Sequence, residues 1–171
     1  MVLKLKNISG DCVFSFFVSP VGKLAIIVSD AGLHSIVWPE LLKDRGMKEL
    51  LAERKMTNSH PVCKQVISQL DEYFYANRST FDIPLVLNGT QFQNAAWKSL
   101  QSIPYGKTVS YEEQAILIGG KEKVRAVGRA NGMNPIPIII PCHRVIGKDG
   151  SLTGFGGGLA SKAFLLDLEA G

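Results

Sequence analysis

Three prolines within seven residues, Pro135, Pro137 and Pro141, restrict what residues 134–147 can fold into. A pyrrolidine ring fixes φ near about −65° and biases the preceding residue towards extended geometry, which excludes a helix here. Ile138, Ile139 and Ile140 have high β propensity, and an apolar run this dense belongs in a core. The segment predicts a stiff, extended, buried strand. It ends on a thiol, an imidazole and a guanidinium in succession, Cys142, His143 and Arg144. Most free cysteines are small buried hydrophobes. A core strand has no use for two cations in a row, so Cys142 reads as the centre of a site.

The rest of the chain limits the chemistry available to that site. Cys12, Cys63 and Cys142 are odd in number and far apart, so neither a disulfide framework nor a close-spaced zinc motif is expected. His34 and His60 share the first half with Cys12 and Cys63, but the spacing matches no ligand pattern. No metal and no cofactor are expected. The N-terminus has no signal pattern, and no apolar run reaches the roughly 18 residues of a membrane span, so a reducing, cytoplasmic setting is expected. The net charge of +4 is uneven: residues 1–88 carry ten Lys/Arg against nine Asp/Glu, and residues 89–171 carry nine against six. This bias lies in the half that holds Cys142 and admits nucleic acid as a partner.

Taken in order, residues 12–18, 24–28 and 33–38 are β-branched or aromatic runs separated by the turns at Pro20-Val21-Gly22 and Asp30-Ala31-Gly32. They predict a small antiparallel sheet. Residues 40–55 are charged and Leu-rich, a helix expected to break or bend at Gly46. Val62, Val66, Leu70 and Phe74 recur every four residues behind Pro61 and predict a helix ending near Asn77. Residues 1–78 thus form a supporting α/β domain, residues 79–88 a linker, and residues 89–171 the domain with the chemistry.

Thr90 with Gln93, and Ser110 with Glu113, have the form of capping boxes, each opening a helix. The second helix ends at Gly119-Gly120, and Val124, Val127 and Ala130 mark the inward face of another that ends by Gly132. Two short helices across a glycine turn are a helix-turn-helix candidate. On the outer face Arg125 and Arg129 stand four apart beside Ala126 and Gly128. Gly128 and Gly132 each cost a helix about 1 kcal/mol relative to Ala, tolerable where something approaches its backbone closely. Either a neighbouring helix or a DNA groove fits that description. Residues 153–158 are glycine-rich but lack the Gly-Lys-Ser/Thr of a phosphate loop, and a lid over a pocket is expected. A last helix runs from Leu159, with Glu169 in its final turn, where the macrodipole disfavours an anion unless a donor such as His143 partners it.

Pro141-Cys142-His143-Arg144-Val145, with Asn134-Pro135 before it and Gly157-Gly158-Leu159 after it, resembles the active-site signature of the O6-alkylguanine-DNA alkyltransferases, also called methylated-DNA–protein-cysteine methyltransferases. The resemblance extends over about residues 71–171, through Tyr73-Phe74, Phe92-Gln93, Trp97 and Ile103-Pro104-Tyr105-Gly106. The fold class expected is α/β of the α+β kind: a small N-terminal antiparallel sheet with helices, then a mainly helical C-terminal domain with a winged-helix-like helix-turn-helix.

The family likeness implies direct-reversal DNA repair. One alkyl group passes irreversibly from O6 of guanine (with O4 of thymine as an alternative lesion) in double-stranded DNA to Cys142, in a monomeric single-turnover methyltransferase. It implies a Glu169–His143–water–Cys142 relay, an Asn134 that ties the turn through backbone hydrogen bonds, and a Tyr111 hydroxyl that donates to the guanine ring. The Val145 carbonyl would face the exocyclic amine. The DNA-binding helix would carry Arg125, Ala126, Gly128 and Arg129 into the minor groove, with Arg125 filling the gap left by a flipped nucleotide. Phe155-Gly156 stands where some members have a tyrosine and a serine, so backbone N–H groups would replace the serine's contact with the substrate oxygen. A non-catalytic reader of alkylated DNA is the rival, and it has no need of the Cys142 thiol. A Cys-His hydrolase with Glu169 as the orienting group leaves the helix-turn-helix unexplained.

Overall fold

The computed structural model describes residues 11–171. The first ten residues, where the sequence shows no signal pattern, lie outside the described residues. The chain divides between Leu87 and Asn88 into two compact units.

In the first unit β1 (Val13–Ser19), β2 (Gly22–Ser29) and β3 (Gly32–Val37) form the antiparallel sheet that the turn spacing predicts, in the order β1-β2-β3. Residues 24–28 of the central strand are fully buried. They form a continuous apolar run because both faces of the sheet are covered. Ala25 and Ile27 pack with Met47, Leu50 and Leu51, and on the opposite side Phe17 stacks on Phe74 with centroids 6.1 Å apart. The helical stretch after the sheet does not break at Gly46. It is split into α1 (Pro39–Leu42) and α2 (Arg45–Ala52), because the Asp44 carboxylate accepts from the Met47 N–H at 3.1 Å and caps a new helix there. The third helix, α3 (Pro61–Tyr75), has Pro61 in its first turn, and His60 Nδ1 accepts from Val62 N at 3.2 Å.

The stretch 79–88, expected as a linker, is secured to the first unit through most of its length. Leu33 N donates to Pro84 O at 2.8 Å and Val86 N to Leu33 O at 2.9 Å. Gln69 exchanges hydrogen bonds with the backbone of Asp82, at 2.8 and 3.0 Å. Gly32, at φ +138°, is required here, since a Cβ would run into the Pro84 carbonyl. The alternating apolar residues Ile83 and Leu85 thus line the sheet instead of spanning a gap.

The second unit contains α4 (Gln91–Gln101), β4 (Val109–Ser110), α5 (Tyr111–Leu117), a 3-10 turn at Lys121–Lys123, α6 (Val124–Gly132), a 3-10 turn at Cys142–Arg144, β5 (Val145–Ile146) and α7 (Gly158–Ala170). Both capping boxes form, Thr90 with Gln93 and Ser110 with Glu113. β4 pairs in parallel with β5, which joins the start of α5 to the residues just after Cys142.

Residues 134–147 are not the extended strand expected from their prolines. The Asn134 carboxamide closes a loop over them, accepting from Ile136 N at 3.0 Å and donating to Ile140 O at 2.7 Å. Ile140 N returns to Ile136 O at 2.9 Å, and Ile138 sits at φ +75°, rare for a β-branched residue. Pro141, at φ −82° and ψ 65°, is the centre of an inverse γ-turn in which Cys142 N donates to Ile140 O at 2.8 Å. The isoleucines are buried as predicted, inside a loop whose backbone groups bond to one another.

Candidate active site

The γ-turn at Pro141 and the 3-10 turn after it aim Cys142 and His143 inward together, which an extended chain would not do. Cys142 is 7% exposed and His143 is fully buried. Burial pushes the Cys142 thiol up to about 11, against the hydrogen bond from Asn134 and the Lys162 ammonium, which both pull it down. The thiol is therefore held protonated until a base takes its proton.

His143 Nε2 lies 2.8 Å from Glu169 Oε1, and Nδ1 makes no hydrogen bond to any of the described residues. Burial lowers the imidazole below its usual range, more than Glu169 raises it, so the ring is neutral at pH 7. Glu169 is buried too. Burial would raise its carboxyl, but hydrogen bonds from His143 and Arg144 hold it at about 2. An ionised carboxylate only accepts, so the imidazole proton is on Nε2 and Nδ1 keeps its lone pair.

Arg144, the second cation of the triplet, is the charge partner of Glu169. Its Nε and Nη2 reach the two carboxylate oxygens at 2.8 and 2.9 Å, and Nη1 donates to Ile103 O at 2.6 Å. Gly106 N adds a fourth donor at 3.2 Å. Gly106 has φ +70°, and a Cβ there would stand 2.7 Å from the Glu169 carbonyl oxygen, so only glycine lets this loop close on the end of α7. A bidentate guanidinium outweighs the few tenths of a kcal/mol by which the helix terminus disfavours the anion.

Lys162 is a residue that sequence reasoning missed. Its side chain is fully buried on α7, and Nζ donates to Val145 O at 2.6 Å and Thr153 O at 3.0 Å. It lies 5.6 Å from the centroid of the Tyr111 ring. No carboxylate among the described residues pairs with it. The signal was present: Lys162, Leu165 and Glu169 recur at helical spacing and are the buried face of α7. Tyr111 OH donates to the same Thr153 carbonyl at 3.3 Å. Burial raises its phenol, which stays a protonated donor.

The structure thus brings Cys142, His143, Glu169, Asn134, Tyr111 and Val145 together. Phe155 is half-buried and Gly156 exposed on the loop before α7, where Gly158 N bonds to Phe155 O at 3.0 Å. On α6, Arg125, Ala126 and Arg129 are exposed and Val127, Ala130 and Asn131 buried. A Cβ on Gly128 would meet only Tyr111 Cε1, at 3.9 Å, and one on Gly132 would meet nothing within 4 Å. Packing inside the unit therefore requires neither glycine. Among the described residues no three His, Cys, Asp or Glu side chains are grouped to hold a metal.

A buried thiol in a turn-bound loop, a neutral imidazole keyed by a carboxylate, and a basic helix with a bare backbone fit the class of DNA-binding proteins that carry a reactive cysteine. Known proteins narrow that class. Residues 91–171 match the family model for the DNA-binding domain of 6-O-methylguanine DNA methyltransferase, and residues 12–87 match the model for its ribonuclease-like domain. The relationship therefore begins well before residue 71. A methylated-DNA–protein-cysteine methyltransferase of Methanosarcina barkeri is 43% identical over 88% of this chain and 92% of its own. The crystal structure of Mycobacterium tuberculosis O6-methylguanine methyltransferase aligns with a TM-score of 0.82 at 40% identity, over 93% of each chain. That of Mycobacterium tuberculosis OGT in complex with DNA aligns with a TM-score of 0.81 at 41% identity, over 92% of each. The chain belongs to the methylated-DNA–protein-cysteine methyltransferase family, as a DNA-binding alkyltransferase of direct-reversal repair. Among the described residues no helix is long and apolar enough to cross a membrane.

Proposed function

We propose that Cys142 removes the alkyl group from O6 of guanine in double-stranded DNA, once per molecule, as a monomer in the cytoplasm. The observation that carries this reading is the neutral His143, keyed through Nε2 to Glu169, beside a thiol that burial keeps protonated. A water between Nδ1 and Sγ takes the thiol proton to Nδ1 as the thiolate forms. The thiolate attacks the alkyl carbon in line, the S–C bond forms, and the C–O6 bond breaks with its electron pair going to guanine. Tyr111 donates to the guanine ring as that charge develops, and the proton taken up by His143 balances the one that the base gains. Lys162, the buried cation beside both groups, stabilises each anion in turn.

A base inside a duplex is out of reach of a thiol this buried, so it has to be flipped out at a cost of a few kcal/mol. The bare backbone of α6 at Gly128 and Gly132 supports close approach to a minor groove, with Arg125 in the vacated stack and Arg129 on a phosphate. The Val145 carbonyl, which spends one lone pair on Lys162, has the other for the exocyclic amine. Phe155 and Gly156 line the pocket, with backbone N–H groups towards O6. O4 of thymine is the alternative lesion. The test is intact-mass measurement after mixing with a duplex that contains O6-methylguanine. A gain of one methyl on Cys142, saturating at one per molecule, is expected. Retained binding with unchanged mass would make the protein a reader of damage.

A further inference from the structure

Between α5 and α6 lie two buried carboxamides that the chemistry above does not use. Gln114 is fully buried and Asn131 is 6% exposed. Asn131 Nδ2 donates to Gln114 Oε1 at 2.7 Å, and Gln114 Nε2 donates back to Asn131 Oδ1 at 3.2 Å. Gln114 Nε2 also reaches Ser99 Oγ at 3.0 Å and Ala96 O at 3.2 Å, both on α4. The Ala96 carbonyl can only accept, so the nitrogen of Gln114 must face it and the oxygen must face Asn131. The orientation of both amides follows from chemistry alone. Apolar side chains would hold three helices together without the desolvation that two amides require. What the amides add is direction, because a hydrogen bond fixes register where apolar ridges can slide.

Two connections lead from this pair to the reacting groups. Gln114 lies one turn from Tyr111 on α5, whose start is fixed by the β4–β5 pairing and whose Ala115 is fully buried. Apolar packing at Ala115 holds the helix in place, and the hydrogen bonds of Gln114 fix its register against α4 and α6. Asn131 O accepts from Asn134 N at 3.1 Å, and the Asn134 side chain closes the Cys142 loop. The amide pair therefore stands between the element that carries Tyr111 and the one that carries the thiol.

We propose that Gln114 and Asn131 are positioning residues for alkyl transfer, setting the Tyr111 hydroxyl in register with Cys142. The inference rests on the transfer reaction proposed above and adds the device that aligns its two halves. Misplacement of a reacting group by about 1 Å can cost on the order of 100-fold in rate.

The test compares wild type, Gln114→Leu with Asn131→Leu, Tyr111→Phe, and the triple variant, each mixed with a duplex containing O6-methylguanine. The apolar double variant should fold, since it exchanges a satisfied polar contact for an apolar one. It should transfer about 10- to 100-fold more slowly, while labelling of Cys142 by iodoacetamide keeps its rate and pH profile. In the Tyr111→Phe background the same double replacement should cost little more, because there is no hydroxyl left to align. Transfer at the wild-type rate, or a loss that multiplies in full with that of Tyr111→Phe, overturns the proposal. Should the apolar double variant not fold, Gln114→Met, nearly equal in volume, enters the same cycle under the same two criteria. A wild-type protein that gains no methyl at all refutes the transfer reading instead, which keeps the two failures apart.

Discussion

His143 and Glu169 are 2.8 Å apart, and they are not an ion pair. Burial keeps the imidazole neutral, and the charge of Glu169 is answered by Arg144 through two bonds of 2.8 and 2.9 Å. Glu169 therefore acts on His143 by choosing its tautomer, and on the fold by holding Arg144, Gly106 and the end of α7 together.

The Glu169 carboxyl is depressed to about 2 in the folded protein, from an ordinary value near 4.5. A depressed carboxyl contributes stability that is fully present above its unfolded value and lost as pH falls through the folded one, here about 3 kcal/mol between roughly pH 5 and pH 2. Urea midpoints measured across that window should fall for wild type. In Glu169→Gln they should start lower, because Arg144 is left buried without its anion, and vary less with pH. The same variant should raise the apparent pKa of Cys142 labelling, and an unmoved value would reduce Glu169 to a structural role.

Lys162→Met removes a cation that pulls the Cys142 thiol down against burial. The thiol should titrate higher, and transfer at pH 7 should drop by about tenfold for every pH unit that its midpoint climbs. The deficit should shrink as pH rises, because the variant regains thiolate. A deficit independent of pH in single-turnover assays would leave Lys162 only its hydrogen bonds to Val145 and Thr153.

Arg125 is exposed on α6, and among the described residues the ion pairs of the second unit do not involve it. Arg125→Ala should slow repair of duplex DNA about 10-fold or more while sparing single strands, where no stack has to be refilled. Comparable losses on the two substrates would remove the base-flipping role.

Alkylated protein should melt several degrees below the free form, and further below with a benzyl than with a methyl adduct. Cys142 is 7% exposed and its neighbours Ile140, His143 and Val145 are fully buried, so added volume has no ready space. Overpacking of this kind costs about 1–3 kcal/mol. Scanning calorimetry before and after stoichiometric reaction measures it, and equal melting temperatures would mean that the loop accommodates the adduct freely.

Features set by neighbours in the chain are legible without any coordinates. The hairpin turns, both capping boxes and the burial of the isoleucine run depend on residues a few positions apart. Asp44 is equally local, but Gly46 is the stronger helix breaker and points to an interruption two residues too late. The loop over residues 134–147 is not legible from its prolines, because each constrains only itself and its predecessor, and it is the family likeness that points to the Asn134 tie. There the decisive bond runs from Asn134 to a carbonyl six residues on. Lys162 escapes notice, and Arg144 stands out in the triplet without its partner, for the same reason, as their partners lie 17 and 25 residues away.

Thr153 lends one carbonyl to two donors, the Tyr111 hydroxyl and the Lys162 ammonium. While no base is in place, the Tyr111 hydroxyl proposed to read guanine is already bonded to the protein's own backbone. Entry of a base is then an exchange of acceptors in which the loop at Thr153 yields its place. A base with a ring nitrogen in that position leaves the hydrogen-bond count unchanged. One without it leaves the hydroxyl of the half-buried Tyr111 without its acceptor, so the pocket rejects misfits by what it would have to give up.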